Sequence, residues 1–319
     1  LSLIATKICD SEEKLNTFFK KTFWAHQYGD MSQIRSIVQK VIHMLKEYDF
    51  ITDSTHTEPE KKSQDFLSAA ELSEKNARPL KVTTLGKRVS QLYLDPYSAH
   101  FIITGLQKKT TIFGIFQLLC ATLELRPLLT VKSKEIDDIH QLLFTHEDEL
   151  TKSVPGIYDH EYDDFFQTLK TAKYFEDWIM EISEKDLFEK YDIRPGEISA
   201  KNAIMDWLLY CCIELSKCVK IQNLQLIKEI RARLPYGVKE DVLPLLQLKN
   251  VGKVRARKLI EQNVKTLKDI KNMSVAQLEK IVGEGIAISL KNQLGENHQK
   301  IPKKEKKVHQ QQGLEDFFG

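Results

Sequence analysis

Apolar positions recur along most of this chain at spacings of three and four, the period of helices with one buried face. Leu15, Phe18 and Phe19 share one such face, and Ile34, Ile37, Val38, Val41, Ile42 and Leu45 share another. Residues 48–51 predict a short strand. The stretch 52–79 is polar, with Pro59, several Ser and Thr and a weak helical run at 66–72, and it reads as an insertion or wing. The apolar pattern resumes over 82–94, with Gly86 as a punctuation point. From about 106 to 240 the spacing is helical nearly throughout: a buried helix over 112–123, an amphipathic one over 136–143, and a long one over 162–180. Pro195-Gly196-Glu197 opens another, running to about Val219, with Glu197 as a carboxylate in the favourable first turn. A shorter helix over 223–233 precedes Pro235-Tyr236-Gly237. The fold class this predicts is mainly α, with a winged helix over 1–105, a helical bundle over 106–240 and a further helical unit over 241–295.

The chain has 319 residues, enough for two or three domains, and its 42% apolar and 29% charged content suits a globular core. No apolar run approaches the roughly 18 residues that would span a membrane. The first eight residues are too short, and lack the basic lead-in, for a signal peptide. The chain opens on Leu1 rather than Met, which reads as a fragment or an unusual start, and the cytoplasm is the default compartment. Five cysteines and nine histidines are scattered without metal-ligand spacing, so they read as core thiols and surface imidazoles, with no metal site.

Charge nearly cancels overall, at +2, but it is segregated. Residues 135–164 hold ten acids and one lysine, whereas residues 249–271 hold eight basic residues and two acids. A polyanion partner suits the second region, although two solvated charged faces would read the same way. Within it, 246–260 ends one helix, turns through Asn250-Val251-Gly252 and begins another. Asn and Gly tolerate backbone angles that larger residues refuse. Amides at the new helix start can face a phosphate, with Lys253, Arg255, Arg257 and Lys258 in the same turns. That is a helix-hairpin-helix, which grips a phosphate backbone without reading bases. A weaker echo, Val282-Gly283-Glu284-Gly285, carries an acid that would repel phosphate, so its role reads as structural.

Residues 296–310 hold five lysines and two glutamates with only two aliphatics, a composition that predicts disorder. The terminus then places Gln311, Leu314, Phe317 and Phe318 so that the apolar three share a face of a short helical turn, which calls for a partner's pocket.

Three stretches together resemble a known family: Thr84-Leu85-Gly86-Lys87-Arg88-Val89-Ser90-Gln91-Leu92-Tyr93-Leu94-Asp95-Pro96; Lys170-Thr171-Ala172 with Trp178 and Glu181, followed by 191–197; and 233–259 including Tyr236-Gly237-Val238-Lys239-Glu240. In this order they resemble the winged-helix, ratchet and helix-hairpin-helix domains in the C-terminal half of the archaeal superfamily-two DNA-repair helicase, a relative of the helicase part of DNA polymerase theta. The resemblance implies a 3′-to-5′ ATP-dependent helicase that loads on single-stranded DNA at branched or stalled forks. It makes Tyr93, Asp95 and Pro96 architectural and lays the helix after Pro195 along the translocating strand. The family's tryptophan there matches Trp207, and the arginine seven residues earlier matches Ala200. Lys201 sits about 100° further round that helix as a substitute cation. Taken alone, a tryptophan in a helical bundle reads as core; with the resemblance, Trp207 becomes the strand contact, beside Ala200, Ala203 and Tyr210, and Trp178 the structural one. The tail resembles a sliding-clamp-binding peptide, filled by Gln311, Leu314, Phe317 and Phe318.

A motor of this class needs G-x-x-x-x-G-K-[ST], which the sequence lacks. The expectation is therefore a chain that binds no cofactor of its own, with ATP and magnesium entering only through a separate motor part. Its expected partners are single-stranded or forked DNA, the helicase motor domains and the sliding clamp. Two other readings stay open: a stand-alone single-stranded DNA-binding adaptor tethered to the clamp, and an RNA-side relative, against which the clamp-like tail argues.

Overall fold

The computed structural model describes residues 1–28, 31–53 and 79–295. Most of the polar stretch at 52–79 and the whole tail, with Gln311, Leu314, Phe317 and Phe318, therefore lie outside the described residues. The described chain is mainly helical, as the spacing predicts, and divides into two units, Leu1–Lys239 and Glu240 onward. Among the described residues no helix is long and apolar enough to cross a membrane.

The first unit begins with α1 (Ser2–Ala5), α2 (Glu12–Lys20), α3 (Phe23–Tyr28) and α4 (Met31–Glu47). Ile34, Val38, Ile42 and Leu45 bury the inner face of α4, whereas Ile37 and Val41 are each about two-fifths exposed. The buried stripe is thus narrower than the apolar pattern predicts. The single antiparallel pair among the described residues, β1 (Ile51–Asp53) and β2 (Leu80–Val82), aligns Ile51 with Val82. Next comes α5 (Thr84–Leu92), which Thr83 caps by accepting the Gly86 amide at 3.0 Å. Gly86 does not punctuate the chain. It lies inside α5, where the Phe50 backbone occupies the space a Cβ would need.

Asp95 accepts the Tyr97 amide at 2.8 Å and Pro96 takes the first helical position, which starts α6 (Pro96–Gly105). These two residues are architectural. Tyr93 contributes only backbone: it ends α5 in the left-handed conformation at φ 57°, and the residue is 90% exposed. The core is built on α7 (Ile112–Cys120), whose residues 113–120 are all buried, against α9 (Tyr162–Ile179). There Phe116 and Phe175 stack at 5.5 Å between centroids. Between them in sequence is α8 (Ile136–His146), and α10 (Glu184–Tyr191), α11 (Pro195–Leu215) and α12 (Leu224–Arg233) complete the unit. Residues 1–105 and 106–239 pack as one body, because α11 lies against α5 and α6. Polar ties cross the same seam: Arg88 pairs with the buried Glu214, and Glu124 accepts both the Asp95 amide and the Ser98 hydroxyl.

The unit ends in a pinned strap. Trp178 Nε1 donates to the Leu234 carbonyl at 2.7 Å, Glu181 accepts the Lys239 amide, and the Trp178 indole occupies the space that a side chain on Gly237, at φ 56°, would need. The buried Arg233 donates to the carbonyls of Val238 and Ile179. Those bonds give Trp178 the structural role.

The second unit contains α13 (Leu243–Leu246), α14 (Lys253–Glu261), α15 (Leu267–Asn272), α16 (Val275–Val282) and α17 (Glu284–Gln293). Leu245, Ala256, Leu259, Ile270, Leu278, Ala287 and Leu290 form its fully buried centre. Gly283, at φ 86°, makes the turn between α16 and α17. Lys291 is buried there and donates to the Lys271 carbonyl at the end of α15.

Candidate nucleic-acid interface

Pro195 at the first position and the Glu197 carboxylate on the Arg194 amide, at 2.9 Å, start α11 firmly. Leu208, Cys211, Cys212 and Leu215 are fully buried, while Ala200, Ala203 and Tyr210 are exposed on the other side. Trp207 lies between the two regimes. It is half-buried and packs against the core. Two exposed alanines precede the indole on this flank, and an indole is a side chain on which any base can stack.

Lys201 does not join that flank. It is half-buried on the side and donates to the Pro127 carbonyl, and burial lowers its pKa. The ammonium is thus engaged in holding the 126–129 segment against α11. Tyr210 is on the flank, with the Arg231 guanidinium of α12 over its ring at 4.9 Å from the centroid.

In the second unit the hairpin turn is well defined. Asn250 adopts the left-handed conformation at φ 68°, and Leu248 and Val251 are buried beneath it. Gly252 is different from expectation: its φ of −100° is open to any residue. Nothing lies within 4 Å of where a Cβ would stand, so neither backbone angle nor packing demands glycine there. Gly252 is the N-cap of α14, no side-chain cap bond forms there, and Val254 in the first turn is 69% exposed.

The basic residues of that turn divide by contact. Arg255 is exposed and folds back to donate to the Asn250 carbonyl at 2.9 Å. Lys258 is exposed, and Lys253 is half-buried at the helix start. Arg257 makes a bidentate pair with Asp241 at 2.7 and 2.8 Å, which anchors α14 to the turn ahead of α13. Its guanidinium is thereby committed within the unit. One positioning residue has no signal in the sequence. The Gln293 side chain, at the end of α17, accepts the Lys249 amide at 2.7 Å and donates to the Lys249 carbonyl at 3.2 Å, clamping the backbone of Lys249 just ahead of Asn250.

Comparison with known proteins falls on these same segments. The model of archaeal helicase domain 4 matches residues 113–237, and the model of the SAM-like helix-hairpin-helix tandem matches residues 242–296. The ATP-dependent DNA helicase Hel308 of Methanocaldococcus jannaschii is 34% identical over 298 residues, covering 92% of this chain and 22% of that protein. Its counterpart in Thermococcus kodakarensis is 31% identical over 325 residues, covering 100% and 27%. The Methanococcus vannielii Hel308 is 34% identical over 299 residues, covering 85% and 38%. The chain is similar to archaeal Hel308 helicases. It matches a C-terminal half of such helicases and spans well under half the length of these Hel308 relatives. The archaeal helicase domain 4 match ends at residue 237, inside the strap pinned by Trp178 and Arg233, and the helix-hairpin-helix match begins just past the boundary between the two units.

Proposed function

We propose that this chain is the DNA-binding and regulatory C-terminal part of an ATP-dependent helicase that moves 3′ to 5′ on single-stranded DNA at branched or stalled replication forks. The observation that carries the reading is the flank of α11 on which exposed Ala200, Ala203 and Tyr210 stand beside the half-buried Trp207, in a chain that matches DNA helicases over nearly its whole length. A strand laid along α11 stacks a base on Trp207, an interaction of about 1–3 kcal/mol per base with no sequence preference. Small side chains at 200 and 203 let the backbone pass. In the second unit the first-turn amides of α14, with Arg255 and Lys258, receive a phosphate, supported by Lys253 and by the Asn250–Gly252 turn. Arg257, held by Asp241, sets the direction of α14.

Residues 1–105 form the winged-helix part in this reading, 106–240 the ratchet and 241–295 the hairpin domain. ATP and magnesium act in motor domains that partner this chain. The clamp-like peptide with Gln311, Leu314, Phe317 and Phe318 tethers the assembly to the sliding clamp at the chromosome.

The test is fluorescence anisotropy of a labelled single strand titrated with this chain at two salt concentrations, followed by mixing with a motor fragment. Binding that weakens several-fold with salt, and DNA-stimulated ATPase that rises on mixing, are expected. Binding without any rise across several motor fragments would support the clamp-tethered adaptor instead. Absence of binding at low salt would overturn both.

A further inference from the structure

The α11 flank offers a stacking face but little charge. Ala200 and Ala203 are neutral, and Lys201 is turned away onto Pro127. A single strand carries a phosphate for every base, so a track that binds it tightly needs a cation at its edge. One comes from the neighbouring helix. Arg231 of α12 donates through Nε to Asp206 Oδ1 at 3.0 Å and through Nη2 to Oδ2 at 3.3 Å. Its plane also lies over Tyr210, 4.9 Å from the ring centroid. Asp206 and Tyr210 are four residues apart, about 40° on the helix, so both border the same edge of the flank that holds Trp207. The Arg231 side chain is 36% exposed, and Nη1 has no hydrogen bond among the described residues.

We propose that Arg231 is a backbone-phosphate contact for the strand on α11, a guanidinium held in place by the Asp206 carboxylate and the Tyr210 ring with its Nη1 edge left for the phosphate. This rests on the reading of α11 as a single-strand track. The arrangement differs from an ordinary surface ion pair in its geometry. Two fixed partners remove most of the freedom an arginine would otherwise lose on binding, and guanidinium suits a phosphate better than an ammonium does. Asp206 has the opposite effect on affinity. Its charge holds the guanidinium but competes with the phosphate for it.

Single-strand titrations of Arg231→Ala, Arg231→Lys and Asp206→Asn across a salt series, beside wild type and Trp207→Ala, test this. Arg231→Ala is expected to reduce the slope of log affinity against log salt by about 0.7, the release expected from one single-strand phosphate. Arg231→Lys keeps the slope and loses part of the affinity, because an ammonium cannot hold both partners. Asp206→Asn tightens binding at low salt. A purely structural pair would instead give an unchanged slope in Arg231→Ala, with lowered melting temperature in both Arg231→Ala and Asp206→Asn, and that result overturns the proposal. The underlying reading fails separately: Trp207→Ala would then match wild type. If wild type does not bind a single strand at all, both fall together.

Discussion

Replacing Gly86 by alanine should destabilise the first unit, although the same change inside most helices stabilises. An unobstructed Gly→Ala in a helix is worth up to about 1 kcal/mol in its favour. At Gly86 the new Cβ would meet the carbonyl oxygen, carbonyl carbon and Cα of Phe50, a fully buried residue whose backbone cannot retreat into solvent. Either α5 moves outward or the β1 approach does. An outward shift loosens Val89, which is fully buried, and stretches the bond from the Thr83 amide to the Phe50 carbonyl, now 3.0 Å. Overpacking of this kind costs about 1–3 kcal/mol and a strained hydrogen bond about 1 more, against up to about 1 regained in propensity. The net expectation is a loss of roughly 1–3 kcal/mol, or a drop in melting temperature of about 2–10 °C for a unit of this size. Gly196→Ala is the matched control. Gly196 lies in the first turn of α11, and nothing stands within 4 Å of its absent Cβ, so its alanine should be neutral or stabilising by some tenths of a kcal/mol. Thermal melts by far-ultraviolet circular dichroism and urea titrations read both variants. Equal or higher stability for Gly86→Ala would refute the reasoning.

Gln293→Ala removes the clamp on the Lys249 backbone and should weaken the hairpin's share of DNA binding several-fold while leaving α11-dependent stacking intact; a single-strand titration in a Trp207→Ala background isolates that share. Cys9, Cys120, Cys211 and Cys212 are buried, and burial raises the Cys211 thiol to about 12, whereas Cys218 is exposed. Native alkylation should therefore modify one thiol quickly and the remaining four only on unfolding, as intact mass would show. Burial works against the Asp177 charge, but bonds from Lys190, Tyr191 and Lys173 win and hold its pKa below the usual carboxylate value. Its contribution is thus present above about pH 4 and lost as pH falls through the depressed value. Acid unfolding followed by circular dichroism should be less steep in Asp177→Asn, with lower stability at neutral pH.

The helices were legible because burial on one face leaves a three-and-four spacing whatever the fold. The pattern over 136–143 became Ile136–His146, and that over 162–180 became Tyr162–Ile179. It also exposed the flank of α11, since alanines and a tyrosine interrupt an apolar helix there. Contacts made by distant segments left no such trace. Gly86 looks like a turn residue in one dimension, yet its lack of a side chain serves Phe50, more than thirty positions earlier. Lys201 and Arg257 read as free cations until Pro127 and Asp241 are seen beside them. Ile37 and Val41 belong to the apolar pattern without being buried, because the surface that α4 covers is narrower than its apolar face.

The most direct test of the account is the single-strand affinity of Trp207→Ala against wild type, measured by anisotropy at one low salt concentration, with Trp207→Phe as the conservative partner. A base stacked on the indole predicts a loss of roughly 5- to 150-fold for alanine, with most of the affinity kept by phenylalanine and the salt dependence unchanged in both. Equal affinity for Trp207→Ala and wild type would contradict it, and would return Trp207 to the helical core.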